Sequence, residues 1–198
     1  IQQIKYTLNL EDKQTNCETR ITKQEVANQI DKVGYFYFRN AVNPNLNDSL
    51  RISIDEGIRQ DKANGHTRGN YSYLAQNKGQ PFVELLNLSP LQDYVDWVLG
   101  QTCILHSYNT ISLQPSVENS IQGSIHRDSP RFCRPYLLAL QILYMVDDFS
   151  IDNGATYILP GSQLIEGKPS DDHFYKHAIQ IEGKSGDAIL FDAMLWHA

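Results

Sequence analysis

Residues 184–198 read Lys-Ser-Gly-Asp-Ala-Ile-Leu-Phe-Asp-Ala-Met-Leu-Trp-His-Ala, and this stretch decides the fold. Its centre, the run 188–191, is continuously apolar and follows the turn residue Gly186. A short apolar run that begins after a turn residue is typical of a buried β-strand. His197 lies close behind this predicted strand, so the folding of the strand determines where that imidazole is placed.

The spacing of apolar residues is strand-like throughout the second half of the chain. The segments rich in Ile, Leu, Tyr and Val are 103–114, 137–146, 155–159, 177–182 and 187–192. Turn-forming residues separate these segments, at Pro115, Gly123, 152–154, Pro160, Gly161, Gly183 and Gly186. A series of short strands separated by turns predicts a jelly roll over residues 101–198.

The first half of the chain predicts helices instead. Apolar residues at helical spacing follow cap signals in the segments 22–34, 44–58 and 89–100. In the first of these segments, Thr22 and Glu25 form a capping-box pattern and Gly34 closes the helix. Proline at the first helical position opens the other two. The aromatic run 35–38 predicts a short strand.

The order of these elements predicts an α+β, mainly β, fold. Its 198 residues are enough for one domain with a sizeable core. We therefore expect a single domain over 1–198, with a mainly helical part at 1–100 packed on a jelly-roll core at 101–198.

Composition and charge exclude several classes of function. The formal charge of −6 and the pI near 5.4 argue against general nucleic-acid binding, which favours a basic surface. No apolar run approaches the roughly 20 residues that cross a bilayer. No leader pattern is visible at the start, although the chain opens at Ile1. The three cysteines, Cys17, Cys103 and Cys133, lack the spacing of a disulfide framework or zinc site. We expect a cytoplasmic protein.

His126, Asp128 and His197 are the candidate metal ligands. In a strand, residues i and i+2 point to the same side, so His126 and Asp128 can converge on one ion. His197 would complete the set through folding. Two imidazoles and one carboxylate on one face of a metal leave the opposite face open. This is the ligand set of a non-haem Fe(II) oxygenase.

Three stretches around these residues resemble a known family. They read Gln-Gly-Ser-Ile-His-Arg-Asp-Ser-Pro at 122–130, Asp-Asn-Gly-Ala-Thr-Tyr-Ile-Leu-Pro-Gly-Ser-Gln at 152–163, and the stretch 184–198 quoted above. In this order they resemble the phytanoyl-CoA dioxygenase family of Fe(II)- and 2-oxoglutarate-dependent oxygenases, well over about residues 105–198 and loosely before. The resemblance implies a double-stranded β-helix (a cupin-like jelly roll) buttressed by N-terminal helices, with Fe(II), 2-oxoglutarate and O2 as cofactor and co-substrates.

The resemblance also implies co-substrate contacts. Gln114 occupies the place of a polar residue that commonly reaches 2-oxoglutarate, and Tyr108 and Asn109 on the same predicted strand are weaker candidates. The family's arginine for the far carboxylate lies about ten residues beyond the distal histidine. Because the sequence stops at Ala198, we expect that arginine and the closing strand to lie beyond it. Gln163 stands where the family usually has histidine.

The carboxylate of Asp128 also bears on the reaction. Related halogenases lack this carboxylate and bind chloride in its place, so the resemblance implies hydroxylation or another outcome of hydrogen abstraction from a small molecule. The candidate substrate-binding residues are Arg68 and Tyr71, in a predicted loop at 66–73, and Arg131 and Arg134 after the metal segment. The remaining histidines predict surface or hydrogen-bonded side chains: His66, His106, His173 and His177.

Two other interpretations stay open. A cupin-like metalloenzyme could use the same three ligands without 2-oxoglutarate, for example as an isomerase or an O2-only dioxygenase. A non-catalytic β-helix binding domain could retain a vestigial metal site. Three convergent ligands argue against the second interpretation, because stability alone does not require them. The sequence does not identify the substrate or the oligomeric state.

Overall fold

The computed structural model describes residues 21–66, 71–88, 91–113 and 124–198, and it has helices packed on antiparallel sheets. The helices are α1 (Lys23–Val33), α2 (Pro44–Ala63), α3 (Gln80–Leu86), α4 (Leu91–Leu99) and α5 (Asp171–His177). The strands are β1 (Tyr35–Phe38), β2 (Tyr71–Tyr73), β3 (Asn109–Ile111), β4 (Leu140–Tyr144), β5 (Tyr157–Ile158), β6 (Ile179–Gln180) and β7 (Ala188–Asp192). This confirms the predicted α+β class.

Helix α1 forms as its sequence predicts. The Thr22 hydroxyl accepts a hydrogen bond from the backbone N–H of Glu25 at 3.2 Å, and the Glu25 carboxylate accepts one from the Thr22 N–H at 2.8 Å. These two bonds satisfy amides that have no partner within the helix. At the other end Gly34 adopts a φ of 92°, a left-handed conformation that glycine reaches without a Cβ clash. Val26 and Ile30 lie buried on the inner side of this helix.

Strand β7 is the centre of the largest sheet that the described residues form, with the order β1-β7-β4. Both neighbours pair antiparallel to it, and Leu190 stands opposite Phe36 on one side and Ile142 on the other. All five residues of β7 are buried, which the continuous apolar run predicted.

The two faces of this sheet pack against different layers, because successive side chains point to opposite sides. On one face, Ala188 and Leu190 join Phe36 and the buried residues of α1 and α4. On the other face, Ile189 and Phe191 join an apolar cluster completed by Tyr35, Met145, Ile158, Ile181 and Leu195. The helices therefore cover one face, and the second face is left for the segments that carry the candidate ligands.

The smaller sheets are two-stranded and antiparallel, β2 with β3 and β5 with β6. Several elements differ from the sequence-based prediction. Helix α3 and strand β2 were not predicted, and β2 lies within the supposed loop at 66–73, so the loop prediction was wrong for residues 71–73. The predicted strand at 35–38 has the bounds of β1, whereas each predicted strand segment in the second half of the chain is longer than the strand found in it. Ser89 and Pro90, at the predicted start of the third helix, lie outside the described residues.

The segment 177–182 was predicted as a strand, but its first residue, His177, ends helix α5. Ser170 caps this helix by accepting a hydrogen bond from the N–H of His173, and acidic residues fill the first turn. A cap and favourable charges at both ends outweigh the local strand pattern. Among the described helices, none combines the length and apolar character required to cross a membrane.

A buried carboxylate joins α2 to the chain that follows it. Asp61 is 4% exposed; it accepts a hydrogen bond from the Ser72 hydroxyl at 2.6 Å and is ion-paired with Lys78. The hydrogen bond from Lys78, followed by the one from Ser72, lowers the pKa of Asp61 to about 2. An unperturbed aspartate has a pKa of about 3.9. The ionised form is therefore favoured in the folded state.

This shift predicts a pH-dependent contribution to stability. The pKa of Asp61 is lower in the folded state than in the unfolded state. Its contribution to the free energy of unfolding is therefore complete above about pH 4 and is lost as the pH falls towards about 2. We expect Asp61→Asn to be less stable than the wild type at neutral pH, with a difference that narrows across this acidic range. Urea unfolding midpoints at pH 6, 4, 3 and 2 measure the narrowing. A constant difference at every pH would contradict the assignment.

Candidate metal centre

His126, Asp128 and His197 come together on the sheet face opposite the helices. Each offers one ligand atom, and these atoms all lie within 4.8 Å of one another. Nε2 of His197 is 3.7 Å from one carboxylate oxygen of Asp128, and Nε2 of His126 is 4.0 Å from the other. The pair His126 and Asp128 and the distant His197 are therefore neighbours in the fold. Small side-chain rotations would bring two imidazole nitrogens and one carboxylate oxygen onto a single ion.

The tautomer of each histidine is fixed by its own segment. Nδ1 of His126 is 2.7 Å from the Ser124 carbonyl oxygen, and Nδ1 of His197 is 2.9 Å from the Leu195 carbonyl oxygen. A carbonyl oxygen only accepts hydrogen bonds, so Nδ1 of each neutral ring carries the proton and donates it. The lone pair then lies on Nε2, the atom that faces Asp128. This arrangement matches the way metal-bound histidines are oriented by a second hydrogen bond.

Backbone pairing holds the two ligand segments side by side. The N–H of His126 donates to the carbonyl of His197, and the N–H of His197 donates back, each at 2.9 Å. The Ser129 N–H donates to the Ala193 carbonyl at 2.8 Å and extends the contact. The ring centroids of the two histidines are 4.2 Å apart. The pairing, rather than any side-chain contact, sets the relative positions of His126 and His197.

The side chain following His126 pairs with the one preceding His197. The Arg127 guanidinium lies over the ring of Trp196, 5.2 Å from its centroid, and donates a hydrogen bond to the Glu166 carbonyl. Trp196 is buried in a small apolar cluster with Ile125, Leu159 and Phe174. Arg127 and Trp196 thus contact each other, and Trp196 also packs in this apolar cluster.

Burial differs sharply among the three candidate ligands. The His197 side chain is 9% exposed and contacts the Phe191 ring, whereas the side chains of His126 and Asp128 are 32% and 31% exposed. Burial, with a further contribution from His126, lowers the pKa of His197 below its usual value despite the nearby Asp128. Both effects favour the neutral imidazole that a metal requires. The site is closed on the His197 side and open on the Asp128 side.

The predicted co-substrate residues have separate surroundings. Gln114 lies outside the described residues. The Tyr108 hydroxyl donates to the Phe82 carbonyl at 3.2 Å, and its ring packs edge-on against Phe82, which ties this side chain to α3. Asn109 lies in β3 opposite Tyr73. The co-substrate roles of all three predicted residues stay predictions.

The predicted substrate-binding residues are also dispersed. Arg68 lies outside the described residues, and Tyr71 pairs with Ile111 in the β2–β3 sheet. Arg131 is exposed, and its carbonyl accepts a hydrogen bond from the Ser129 hydroxyl. The substrate-binding roles of these residues stay predictions. The four remaining histidines are exposed.

Arg134 is engaged in ion pairs. Its guanidinium is paired with buried Asp192 and, at 3.3 Å, with Asp31 of α1. The sequence assigns Arg134 to substrate, a role that stays a prediction, and it does not single out Asp192. The signal for Asp192 was present in the sequence as an acidic residue at the end of a continuously apolar strand, where it requires a buried partner.

Gln163, at the position where the family usually has histidine, is fully buried. Its side-chain amide donates to the Ile30 and Asp31 carbonyls at 3.3 and 3.0 Å. These carbonyls belong to the last turn of α1. The Ile30 carbonyl also accepts a hydrogen bond from the Gly34 N–H at 2.8 Å, and the Asp31 carbonyl is among the last four of the helix, which lack intrahelical partners. Gln163 therefore caps α1, and this is consistent with the expectation that the residue does not touch the candidate metal ligands.

Comparison with known proteins assigns the family. The family model for phytanoyl-CoA dioxygenase (PhyH) matches residues 31–198. The chain belongs to this family. The match includes all three candidate metal ligands, the central sheet and the helices from α2 onwards.

The curated relatives of this PhyH-family chain align with it over only part of its length. Uncharacterised proteins of Mycobacterium bovis and Mycobacterium tuberculosis are each 32% identical over 121 residues, which is 59% of this chain and 44% of theirs. The chain thus matches less than half the length of these relatives. A dioxygenase of Talaromyces verruculosus is 40% identical over 63 residues, 30% of this chain and 20% of its own.

Solved structures share the fold at low sequence identity. SnoN, a non-heme alpha ketoglutarate dependent epimerase from nogalamycin biosynthesis, superposes with a TM-score of 0.66 at 16% identity, covering 88% of this chain and 73% of its own. AviO1 from Streptomyces viridochromogenes Tue57 superposes with a TM-score of 0.64 at 15% identity, covering 89% and 86%. These likenesses extend the common fold across most of the PhyH-family chain.

Proposed function

We propose that this PhyH-family protein is an Fe(II)- and 2-oxoglutarate-dependent dioxygenase that hydroxylates a small molecule in the cytoplasm. The observation that carries the proposal is the convergence of His126, Asp128 and His197, with both Nδ1 atoms engaged by backbone carbonyls. Two neutral imidazoles and a carboxylate are the donors that non-haem Fe(II) oxygenases use. Membership of the PhyH family supports the same cofactor and co-substrate.

The three ligands would hold the iron and leave its opposite side open. Iron with 2-oxoglutarate and O2 supplies an oxidation in which 2-oxoglutarate becomes succinate and CO2 while a substrate C–H becomes C–OH. The Ser124 and Leu195 carbonyls keep each histidine in the tautomer that presents Nε2. Phe191, packed against His197, excludes water from the buried side.

Access to the centre fits the exposed side of the site. Because Asp128 is far more exposed than His197, we assign the approach of co-substrate and substrate to the Asp128 side. Gln114, Tyr108 and Asn109 are the proposed co-substrate contacts. The proposed substrate contacts are Arg68, Tyr71 and Arg131.

A small-molecule substrate is consistent with what the structural neighbour binds. SnoN was solved in complex with Fe3+, alpha ketoglutarate and nogalamycin RO. Its description as an epimerase also marks a second reaction outcome on this fold. The two outcomes differ in the product, since a hydroxylated product gains one oxygen atom and an epimer keeps the mass of its substrate.

A direct test uses anaerobic protein loaded with Fe(II). We expect added 2-oxoglutarate to produce a weak visible metal-to-ligand charge-transfer band, and admission of O2 to produce succinate slowly even without substrate. Absorption spectroscopy and succinate quantification measure these two results. Iron binding without the band would favour the cupin-like alternative that dispenses with 2-oxoglutarate. Protein that takes up no iron would instead be a non-catalytic binding domain.

A further inference from the structure

We infer that Arg134 and Asp192 form a positioning pair that holds the Asp128 segment in register with the His197 segment. This inference rests on the proposed metal site and adds two residues that contact no metal ligand directly. The pair links the chain that follows Asp128 to the end of β7, from which the chain continues to His197. Its effect on the metal would act through the backbone.

Asp128 depends on its backbone for its position. Among the described residues, no group donates a hydrogen bond to its carboxylate, and its two oxygens lie 3.7 and 4.0 Å from Nε2 of the two histidines. A metal-bound carboxylate is usually oriented by hydrogen bonds around it. In this protein, contacts orient the backbone segment that carries Asp128 rather than the carboxylate itself.

Two ends of that segment are fixed on the same partner segment, residues 192–197. At one end His126 and His197 exchange backbone hydrogen bonds of 2.9 Å. At the other end the Arg134 guanidinium meets the Asp192 carboxylate. Between them, the Ser129 N–H donates to the Ala193 carbonyl and the Cys133 N–H lies 3.3 Å from the Met194 sulfur. Asp128 therefore sits inside a loop closed at both ends.

Asp192 is suited to anchor such a loop. It is 1% exposed, and its other carboxylate oxygen accepts a hydrogen bond from the Met194 N–H at 2.8 Å. Its own N–H donates to the Gly34 carbonyl at 2.8 Å, and its carbonyl accepts from the Leu195 N–H at 2.8 Å. One residue thus ties the turn before His197 to the end of α1 and to Arg134.

Stability alone does not account for this pair. Burial raises the pKa of Asp192 above its usual value, even though the Met194 amide and Arg134 oppose the rise. The free-energy cost of removing both charges from water therefore offsets much of their electrostatic attraction. Buried polar groups fix register between packed elements in some proteins, and the location of this pair, between two ligand-bearing segments, fits that role.

The test measures Co(II) binding, because the visible spectrum of Co(II) reports its ligands without turnover. We expect Arg134→Leu to bind Co(II) about 10- to 100-fold more weakly than the wild type, the usual effect of losing a group that orients metal ligands. The spectrum of its bound Co(II) should move towards that of Asp128→Ala. Arg134→Lys, which keeps the charge, should recover part of the affinity.

Lys78→Leu is the matched control, because Lys78 is also paired with a buried aspartate, Asp61, in the helical part of the chain. We expect it to lower the melting temperature while leaving the Co(II) affinity and spectrum unchanged. Asp192→Asn is the second variant should Arg134→Leu fail to fold. Wild-type affinity and spectrum in the folded Arg134 or Asp192 variants would overturn the inference. Wild-type protein that binds no Co(II) would instead contradict the proposed metal site.

Discussion

His126→Ala and Asp128→Ala are expected to abolish Fe(II) binding and turnover while leaving the fold in place. Each substitution removes one of three ligands, whereas loss of a group that merely orients a ligand already costs roughly 10- to 100-fold in affinity. We therefore expect affinity to fall by more than about 100-fold. Both side chains are about one-third exposed, at 32% and 31%, so truncation leaves little buried cavity. Anaerobic Fe(II) titration and circular dichroism measure the two effects.

His173→Ala is the control for these ligand variants. His173 is an exposed histidine on α5, and its ring packs 4.4 Å from that of His177. Its removal tests whether surface histidines account for the iron bound. We expect wild-type affinity in this variant. Unchanged iron affinity in both His126→Ala and Asp128→Ala would contradict the assignment of the metal site.

Gly34→Ala is expected to destabilise the protein strongly, because the added methyl group meets both backbone strain and overpacking. Gly34 has a φ of 92°, and a Cβ there would lie 2.5 Å from a Leu195 methyl carbon and 2.6 Å from the Gln163 side-chain oxygen. Both neighbours are fully buried in the close-packed interior, so moving either side chain disturbs the packing around it. The backbone strain and the overpacking together amount to about 2–5 kcal/mol, or on the order of 10 °C in Tm.

Gly100→Ala isolates the backbone part of that cost. Gly100 also follows a helix, α4, and has a φ of 86°, but a Cβ there would meet nothing within 4 Å. We expect it to lose only about 1–2 kcal/mol, from the left-handed conformation. Differential scanning calorimetry of both variants gives the comparison. Equal losses would show that the contacts with Leu195 and Gln163 contribute nothing.

Much of the central architecture could be predicted from local patterns. The apolar run 188–191 indicated β7, and the capping box at Thr22 with Gly34 indicated α1, because each depends on residues close in sequence. The spacing of His126 and Asp128 likewise suggested convergence, and the structure brings both beside His197. Metal binding by the three residues stays a prediction.

The features missed depend on contacts between distant parts of the chain. Asp192 and Arg134 are 58 residues apart, and only folding shows that they share one buried ion pair. Strand β2 contains three residues and gains its strand character from pairing with β3. Such short segments have no periodicity of their own, so the sequence around Tyr71 predicts a loop.

The hydrogen bonds from the two Nδ1 atoms bear on how this protein could change over evolution. Both acceptors are main-chain carbonyls two residues before the histidine, at Ser124 and Leu195. A side-chain substitution cannot delete a main-chain carbonyl. The orientation of both imidazoles is therefore kept when neighbouring side chains are mutated. The side chains around the site are then free to change and accept new substrates, while the two histidines keep presenting the same atoms. Redesign of substrate specificity should begin with side chains around the site whose replacement leaves these two backbone segments undisturbed.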